Sequence, residues 1–252
     1  MSFEPISLSS LAVILLALAA GSLVKGITGL GLPLIGVPVI ASFLGVEHAV
    51  VVMVIPLIVT NTWLLWEHRS QFASTKNLSA LLFTGVLGAV VGSWILFVVN
   101  ERVLSLILAT AIGVYLLTLL LHPQFTLSRT VDRLLSPVIG FTAGTMQGAI
   151  GISSPIIATY FHALRLEKHA YVFCVAAAFQ TFSIAQLVTL YQLGLFTQTR
   201  LIEGLLALLP VFVALPIGIR LARVISRRAF DMILIAVIIA MELKFIYGGL
   251  VD

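Results

Sequence analysis

Ten apolar segments follow one another along the chain, and short polar links separate them. They lie at 8–25, 31–45, 48–66, 78–98, 103–121, 134–149, 153–164, 170–190, 201–219 and 229–247. Most are long enough, at about 1.5 Å per residue, for a hydrocarbon core of about 30 Å. Their Leu, Ile, Val and Ala residues form continuous blocks instead of alternating with polar residues, which favours helices over the strands of a barrel. The pattern predicts an all-α polytopic membrane protein of about ten helical segments.

The second and seventh segments are too short to span comfortably, and an interrupted stretch leads into each of them. The two stretches are KGITGLGLPLI at 25–35 and QGAIGISSPII at 147–157. Glycine permits unusual φ angles and proline suits the first turn of a helix, so each stretch predicts a break followed by a new helix. Each short segment is then either a short tilted helix or the returning arm of a helical hairpin.

The two halves of the chain resemble each other. A shift of 122 positions aligns the two interrupted stretches, and small changes of shift align further residues. The aligned pairs are Gly26 with Gly148, Gly29 with Gly151, Pro33 with Pro155, Glu47 with Glu167, Asn61-Thr62 with Gln180-Thr181, Gly92 with Gly218, and Arg102 with Arg228. Their common order predicts an internal duplication. The predicted repeats are 1–121 and 134–252, and a cytoplasmic link at 122–133 joins them.

The positions of the basic residues indicate how many segments each repeat contains, because Lys and Arg accumulate in cytoplasmic loops. With five segments in each repeat, one face receives ten basic residues: Arg69, Lys76, Arg129, Arg133, Arg165, Lys168, Arg220, Arg223, Arg227 and Arg228. With four crossings in each repeat, this bias disappears. Five segments invert the second repeat relative to the first and place both termini on the non-cytoplasmic side of a bacterial inner membrane.

The composition excludes several classes of protein. The chain has 252 residues, of which 60% are apolar and 10% charged, so no soluble domain is expected. Basic loops explain the net charge of +4, which therefore does not indicate nucleic acid. The single cysteine, Cys174, excludes an internal disulfide and a thiolate metal cluster. Motifs of nucleotide-binding loops, zinc proteases and serine hydrolases do not occur, so we expect neither an enzyme nor a cofactor.

Polar residues in the breaks and in the apolar segments are candidate ligands for an anion. A helix that begins at a break directs N–H groups and a partial positive charge toward it, which suits a negative ligand. Paired broken helices in inverted repeats also indicate a transporter's substrate site near the membrane midplane. The candidate substrate-binding residues are Lys25, Thr28, Gly29, Gly31, Asn61, Thr62, Gln147, Gly151, Ser153, Ser154, Gln180 and Thr181.

Each candidate also has a structural interpretation. Glycines in membrane helices commonly allow close packing, and Ser and Thr hydroxyls commonly bond to their own helix. Lys25 can instead extend to the membrane surface if its break lies at shallow depth. His162 and Glu203 lie near segment ends, where we expect solvated interfacial groups rather than a proton relay.

With these residues the chain resembles the TauE/SafE family of sulfite exporters and related anion permeases. The resemblance rests on the break from Gly21 to Pro38, its partner from Gly144 to Pro155, the Glu47-His48-Ala49 start of the third segment, and the links HRSQF and GLFTQ. It implies a secondary carrier of sulfur-containing anions, including sulfite, sulfoacetate and other organosulfonates. Inverted repeats that rock about a midplane anion site would provide alternating access.

We therefore expect an exporter of small sulfur-containing anions. The alternatives are a carrier of another small anion, such as a carboxylate, and a non-transporting membrane scaffold subunit. The expected partners are the anion and the lipid bilayer, and no nucleic acid is expected. The sequence does not decide whether H⁺ or Na⁺ is a coupling ion or whether the protein forms a homodimer.

Overall fold

The computed structural model describes residues 7–28, 31–75, 78–121 and 129–221, and every regular element in these ranges is helical. The α-helices are α1 (Leu8–Thr28), α2 (Leu32–Leu44), α3 (Val46–Glu67), α4 (Ser79–Val98), α5 (Glu101–Leu121), α6 (Arg129–Ile150), α7 (Ser154–Ala163), α8 (Lys168–Gln192), α9 (Gln198–Leu206) and α10 (Leu208–Leu221). A 3₁₀ helix, Arg69–Thr75, follows α3. The all-helical prediction is confirmed for these ranges.

Five helical stretches are long and apolar enough to cross a membrane. They are Leu8–Ile27, Val46–Glu67, Ser79–Val98, Lys168–Gln192 and Gln198–Leu221. Helices satisfy their own backbone hydrogen bonds and can therefore lie in lipid. These spans agree with the predicted polytopic membrane protein.

The helices belong to two compact units. Unit 1 contains α1, α2, the start of α3 up to Met53, α5, α9 and α10. Unit 2 contains α3 from Val54 onward, the 3₁₀ helix, α4, α6, α7 and α8. Each unit thus combines helices from both halves of the sequence.

In unit 1, α2 folds back along α1 as the second arm of a helical hairpin. The start of α2 packs on Gly21, where an added Cβ would lie 3.3 Å from the Leu32 Cα. One turn later in α2, a Cβ on Gly36 would lie 3.0 Å from the side chain of Leu18, one turn earlier in α1. Contacts that advance along one helix and retreat along the other define an antiparallel pair. A short tilted helix and a returning arm would both pack in this way, so the choice between these two alternatives stays open for α2.

Unit 2 contains a corresponding hairpin of α6 and α7. At the break, the Ser153 hydroxyl donates to the Gln147 side chain at 2.9 Å. Toward the other end of α7, the Tyr160 hydroxyl donates to the Asp132 carboxylate in the first turn of α6. The 10 residues of α7, at about 1.5 Å each, reach about halfway across a hydrocarbon core of about 30 Å. This helix is therefore too short to cross the core on its own, which agrees with a returning arm.

Nine predicted segments lie in the described residues, and helix occupies each of them. α6 begins at Arg129, so the last residues of the predicted link 122–133 form its first turn. The ninth predicted segment, 201–219, lies within the span Gln198–Leu221, in which one turn residue, Ala207, separates α9 from α10. Pro210 has no N–H to donate to the Leu206 carbonyl, which explains the interruption. The tenth segment, 229–247, lies outside the described residues.

Glycines bring two pairs of helices into direct backbone contact. In unit 2, a Cβ on Gly92 of α4 would lie 2.9 Å from the Gly148 Cα of α6. In unit 1, a Cβ on Gly26 of α1 would lie 2.8 Å from the Gly218 Cα of α10. Side chains would hold either pair apart, so close packing is confirmed for these glycines. The two contacts correspond, because Gly26 aligns with Gly148 and Gly92 with Gly218.

We expect Gly92→Leu to lower the melting temperature of the detergent-solubilised protein, because the new side chain must push α4 away from α6. Overpacking of this kind costs about 1–3 kcal/mol. The matched control is Val91→Leu, at a position of α4 that is 43% exposed, and it should leave the melting temperature unchanged. An equal change in both variants would contradict the packing role of Gly92.

Candidate functional site

In unit 2, the chain passes from α6 to α7 through a short buried turn. Gly151 has a φ of +69°, which favours glycine, and its N–H donates to the Gln147 carbonyl at 2.9 Å. Pro155 lies in the first turn of α7. Proline fits there because it has no N–H that would stay unbonded. The stretch QGAIGISSPII therefore forms a break and a new helix.

Three buried polar side chains hold this turn in place. The Ser153 hydroxyl donates to Gln147 Oε1 at 2.9 Å, and Gln147 Nε2 donates to Gln186 Oε1 of α8 at 3.2 Å. Gln186 Nε2 donates in turn to the Gln147 carbonyl at 2.8 Å. None of the three side chains is more than 2% exposed. Their mutual hydrogen bonds offset the cost of burying polar atoms, and we call them the turn network.

Gln186 did not stand out in the sequence. The repeat alignment selected Gln180 and Thr181 in the eighth segment because they match Asn61 and Thr62, and Gln186 entered no such pair. One signal in the sequence could have identified Gln186: it is a further amide side chain in the same apolar segment as Gln180. A buried amide among apolar residues needs a hydrogen-bond partner, and the end of a neighbouring helix provides one.

Ser154, the first residue of α7, places a hydroxyl at the N-terminus of this helix. The side chain is fully buried, and its oxygen has no hydrogen-bond partner among the described residues. Ser153 occupies the N-cap but makes no side-chain bond to α7, because its hydroxyl is donated to Gln147. The helix end thus offers a hydroxyl, backbone N–H groups and a partial positive charge away from water. These groups suit a small anion.

The break in unit 1 has a similar local structure. α2 begins at Leu32 with no side-chain cap and with Pro33 in its first turn. Gly31 precedes it with a φ of +139°, which strongly favours glycine. A Cβ on Gly31 would also lie 3.1 Å from the Lys25 backbone nitrogen, so the chain passes close to α1. α2 and α7, which begin at Leu32 and Ser154, start 122 residues apart, the shift of the repeat alignment.

Lys25 lies in the last turn of α1 and is buried. Its side chain is only 1% exposed, so it does not extend to the surface of the described chain. A buried ammonium group is costly unless negative charge or hydrogen-bond acceptors replace its water. Lys25 is therefore a buried residue that can carry positive charge, in the turn of α1 next to the break. Thr28 is the last residue of α1, and Gly29 lies outside the described residues.

The remaining candidates lie on α3 and α8 in unit 2. Gln180 Nε2 donates to Thr62 Oγ1 at 3.1 Å, which brings two aligned regions of the repeats together. Asn61 is fully buried. Thr181 instead donates to the carbonyl of Ala177 in its own helix at 2.8 Å. This bond agrees with the structural role that was the alternative to anion binding. Thr62 and Gln180 thus form a pair, whereas Gln147 and Ser153 belong to the turn network.

Glu203 differs from its predicted environment. It lies in α9 and is only 2% exposed, so the expectation of a solvated interfacial group is wrong. His48 Nε2 lies 2.7 Å from Glu203 Oε2 and replaces the missing water. These two residues are 155 positions apart, so no pattern in the sequence indicated their contact. His162 is exposed, as expected.

An apolar groove of about 610 Å³ runs between α1 and α10 in unit 1. Its walls include Leu23, Pro210 and Ile217, and none of the candidate polar residues lines it. Apolar walls cannot replace the hydration of an anion. We therefore do not assign this groove to an anionic ligand.

Broken helices with buried polar groups, within a polytopic α-helical membrane protein, define a class typical of secondary transporters. The family of the sulfite exporter TauE/SafE matches residues 13–245, nearly the whole chain. The chain belongs to this family, whose members are membrane transporters and not enzymes, so the resemblance inferred from the sequence is confirmed. Comparisons with curated proteins and with solved structures found no match.

We expect Gln186→Leu to destabilise the protein, because the Gln147 side chain and carbonyl lose buried hydrogen-bond partners. Leaving such groups unsatisfied costs about 1–3 kcal/mol. Gln192→Leu, at the exposed end of α8, is the matched control. Thermal unfolding in detergent measures both. A melting temperature that Gln186→Leu leaves unchanged would contradict the supporting role of this side chain.

Proposed function

We propose that this protein exports small sulfur-containing anions, such as sulfite, sulfoacetate and other organosulfonates, as a secondary transporter. One observation carries the proposal: the buried N-terminus of α7 has no side-chain cap, and the Ser154 hydroxyl there has no partner among the described residues. Membership of the sulfite exporter family supports the choice of anion and the direction of transport.

Sulfite and sulfonate groups distribute negative charge over three oxygens. When such a group leaves water, several donors must replace its hydration, because desolvation without replacement is strongly unfavourable. We propose that the Ser154 hydroxyl and the first N–H groups of α7 are these donors in unit 2. The turn network positions them, since the amides of Gln147 and Gln186 are already bonded to each other. Binding then uses a preorganised helix end.

We propose that the break in unit 1 provides a second position for the anion during transport. Its groups are the uncapped N-terminus of α2 and the amino group of Lys25, which is buried at the end of α1. The positive end of a helix and a cation both attract a negative ligand. Gly31 allows close approach there, because it presents no side chain.

We further propose that the two halves are inverted repeats and that transport proceeds by alternating access. The equal spacing of the two breaks and the corresponding glycine contacts support the duplication. Gly45 and Arg165, which align with each other, also have positive φ values of 88° and 50°. A positive φ is uncommon for arginine, so its occurrence at these two aligned positions supports the proposed duplication.

Contacts between links support the predicted inversion. Five segments in each repeat place the links before α3, α5 and α9 on the non-cytoplasmic face. In unit 1 these links meet, because the first N–H of α3 donates to Glu101 at 2.5 Å and Glu47 pairs with Arg200 at 2.8 Å. In unit 2, the rings of His68 and His169 lie 5.4 Å apart, and both belong to links predicted on the cytoplasmic face.

Thermal unfolding with added anions distinguishes a sulfur-anion transporter from the two alternatives. We expect millimolar sulfite or sulfoacetate to raise the melting temperature more than acetate or sulfate does. Ligand at 100 times its dissociation constant stabilises by about 2.7 kcal/mol. A larger effect of acetate would favour the carboxylate carrier. If none of the four anions raised the melting temperature, the scaffold alternative would be favoured.

We expect Ser154→Ala and Lys25→Ala each to reduce sulfite flux in proteoliposomes. A hydrogen bond to a charged group contributes about 1.5–3 kcal/mol, so anion affinity should fall about 10- to 100-fold. Both variants should still elute as folded protein.

The matched controls are Ser79→Ala and Lys168→Ala, at exposed positions that begin α4 and α8. They should keep wild-type flux. Wild-type flux in both Ser154→Ala and Lys25→Ala would exclude binding at the breaks.

A further inference from the structure

Two charge pairs connect the start of α3 with α9 in unit 1. Glu47 pairs with Arg200 at 2.8 Å, and the next residue, His48, contacts Glu203 at 2.7 Å. The side chains of Glu47 and Arg200 are 34% and 19% exposed, whereas that of Glu203 is 2% exposed. Residues three positions apart share a face of a helix, so Arg200 and Glu203 are neighbours on α9. A buried carboxylate therefore lies beside a more exposed ion pair.

Three carboxylates lie at this end of the described part of unit 1. Glu47 pairs with Arg200, and Glu101 of α5 accepts the first N–H of α3 at 2.5 Å. Glu203 is buried beside His48. A buried carboxylate is costly as an ion unless a positive charge pairs with it. A proton held between His48 and Glu203 removes this cost.

In the described part of unit 1, the charged groups of α2, α5 and α10 do not take the place of this proton. Arg102 follows Glu101 on α5 and is exposed. α2 carries no charge, and its 13 residues, at about 1.5 Å each, separate Lys25 from the start of α3 by about 20 Å. Arg220 lies in the last turn of α10, away from α9. The imidazole of His48 is therefore the basic group in contact with Glu203.

We propose that His48 and Glu203 form the proton-binding site that couples proton movement to anion transport. This inference rests on the proposed transport function and assigns H⁺ as its coupling ion. His48 is 20% exposed, so its ring connects the buried carboxylate with the surface of the described chain. Imidazole gains and loses protons near neutral pH. One proton that binds adds one positive charge to the pair, and its release restores the pair without any other reactant.

The repeat alignment places Lys168 at the position of His48 in the second half of the chain. Lys168 is exposed, whereas Glu203 beside His48 is buried. The coupling site is therefore a property of unit 1.

The test compares two assays on the purified full chain in proteoliposomes. The first measures exchange of radiolabelled sulfite for unlabelled internal sulfite at equal pH. The second measures sulfite uptake driven by an imposed pH gradient. With one coupled proton, a gradient of one pH unit shifts the equilibrium anion ratio about tenfold. Sulfite itself titrates near neutral pH, so the variants and the wild type are compared at the same two pH values, after subtraction of empty liposomes.

We expect His48→Gln, Glu203→Gln and the double variant to keep exchange and to lose the response to the gradient. Glutamine retains hydrogen bonding at both positions without a titratable group, which preserves the contact between α3 and α9. The matched control, the double variant Glu47→Gln with Arg200→Gln, removes the neighbouring ion pair and should keep the wild-type response.

The outcomes separate the two levels of the proposal. A wild-type response in Glu203→Gln and in the double variant would overturn proton coupling through this pair. If all three variants lost both exchange and gradient-driven uptake, proton coupling through this pair would also be overturned. That result would show that the pair has a structural role. Wild-type exchange without any response to the gradient would reject proton coupling and leave the transport function in place. If the wild-type protein did not exchange sulfite, the transport function itself would fail.

Discussion

Backbone N–H and carbonyl groups must find partners where water is excluded, and this constraint governs the breaks in the membrane helices. At the end of α6, the Gln147 carbonyl accepts hydrogen bonds from the Gly151 N–H and the Gln186 side chain. These bonds satisfy the end of one helix. The N-terminus of the next helix lacks a side-chain cap, and Ser154 adds a buried hydroxyl to it. The turn thereby keeps its donors available for a ligand.

In both breaks, a polar residue is followed directly by a glycine that packs against another helix. Gly148, which contacts α4, directly follows Gln147, and Gly26, which contacts α10, directly follows Lys25. A glycine at a helix crossing fixes the position of its neighbour, because backbones in contact leave no room for adjustment. Each break therefore has a glycine that contacts a neighbouring helix and, directly before it, a buried polar residue. The same order of residues recurs in both halves of the chain.

Much of the fold was predictable because its signals are local. The length of the apolar segments predicted the helices, and glycine followed by proline predicted the breaks at Gly31 and Gly151. The repeat alignment also pointed to Gln147 and Ser153, which lie together in the turn network. The glycines Gly92 and Gly218 suggested close helix packing. The sequence around each glycine does not identify the helix that packs against it.

The rest depends on contacts between residues that are distant in sequence. The Gln186 amide and the His48–Glu203 pair become meaningful only when helices are placed side by side. Glu203 lies near the start of an apolar segment, so its position suggested exposure to water, yet a histidine 155 residues away covers it. Whether a polar side chain is buried depends on which groups can form hydrogen bonds with it. The periodicity of apolar residues does not specify these partners.

The proposed role of the buried helix ends in sulfite transport is tested most directly by uptake of radiolabelled sulfite. Proteoliposomes that contain the purified chain are compared with empty liposomes. We expect saturable uptake that unlabelled sulfite and sulfoacetate inhibit and acetate does not. Uptake no greater than that of empty liposomes, with fully folded protein in the membrane, would contradict it.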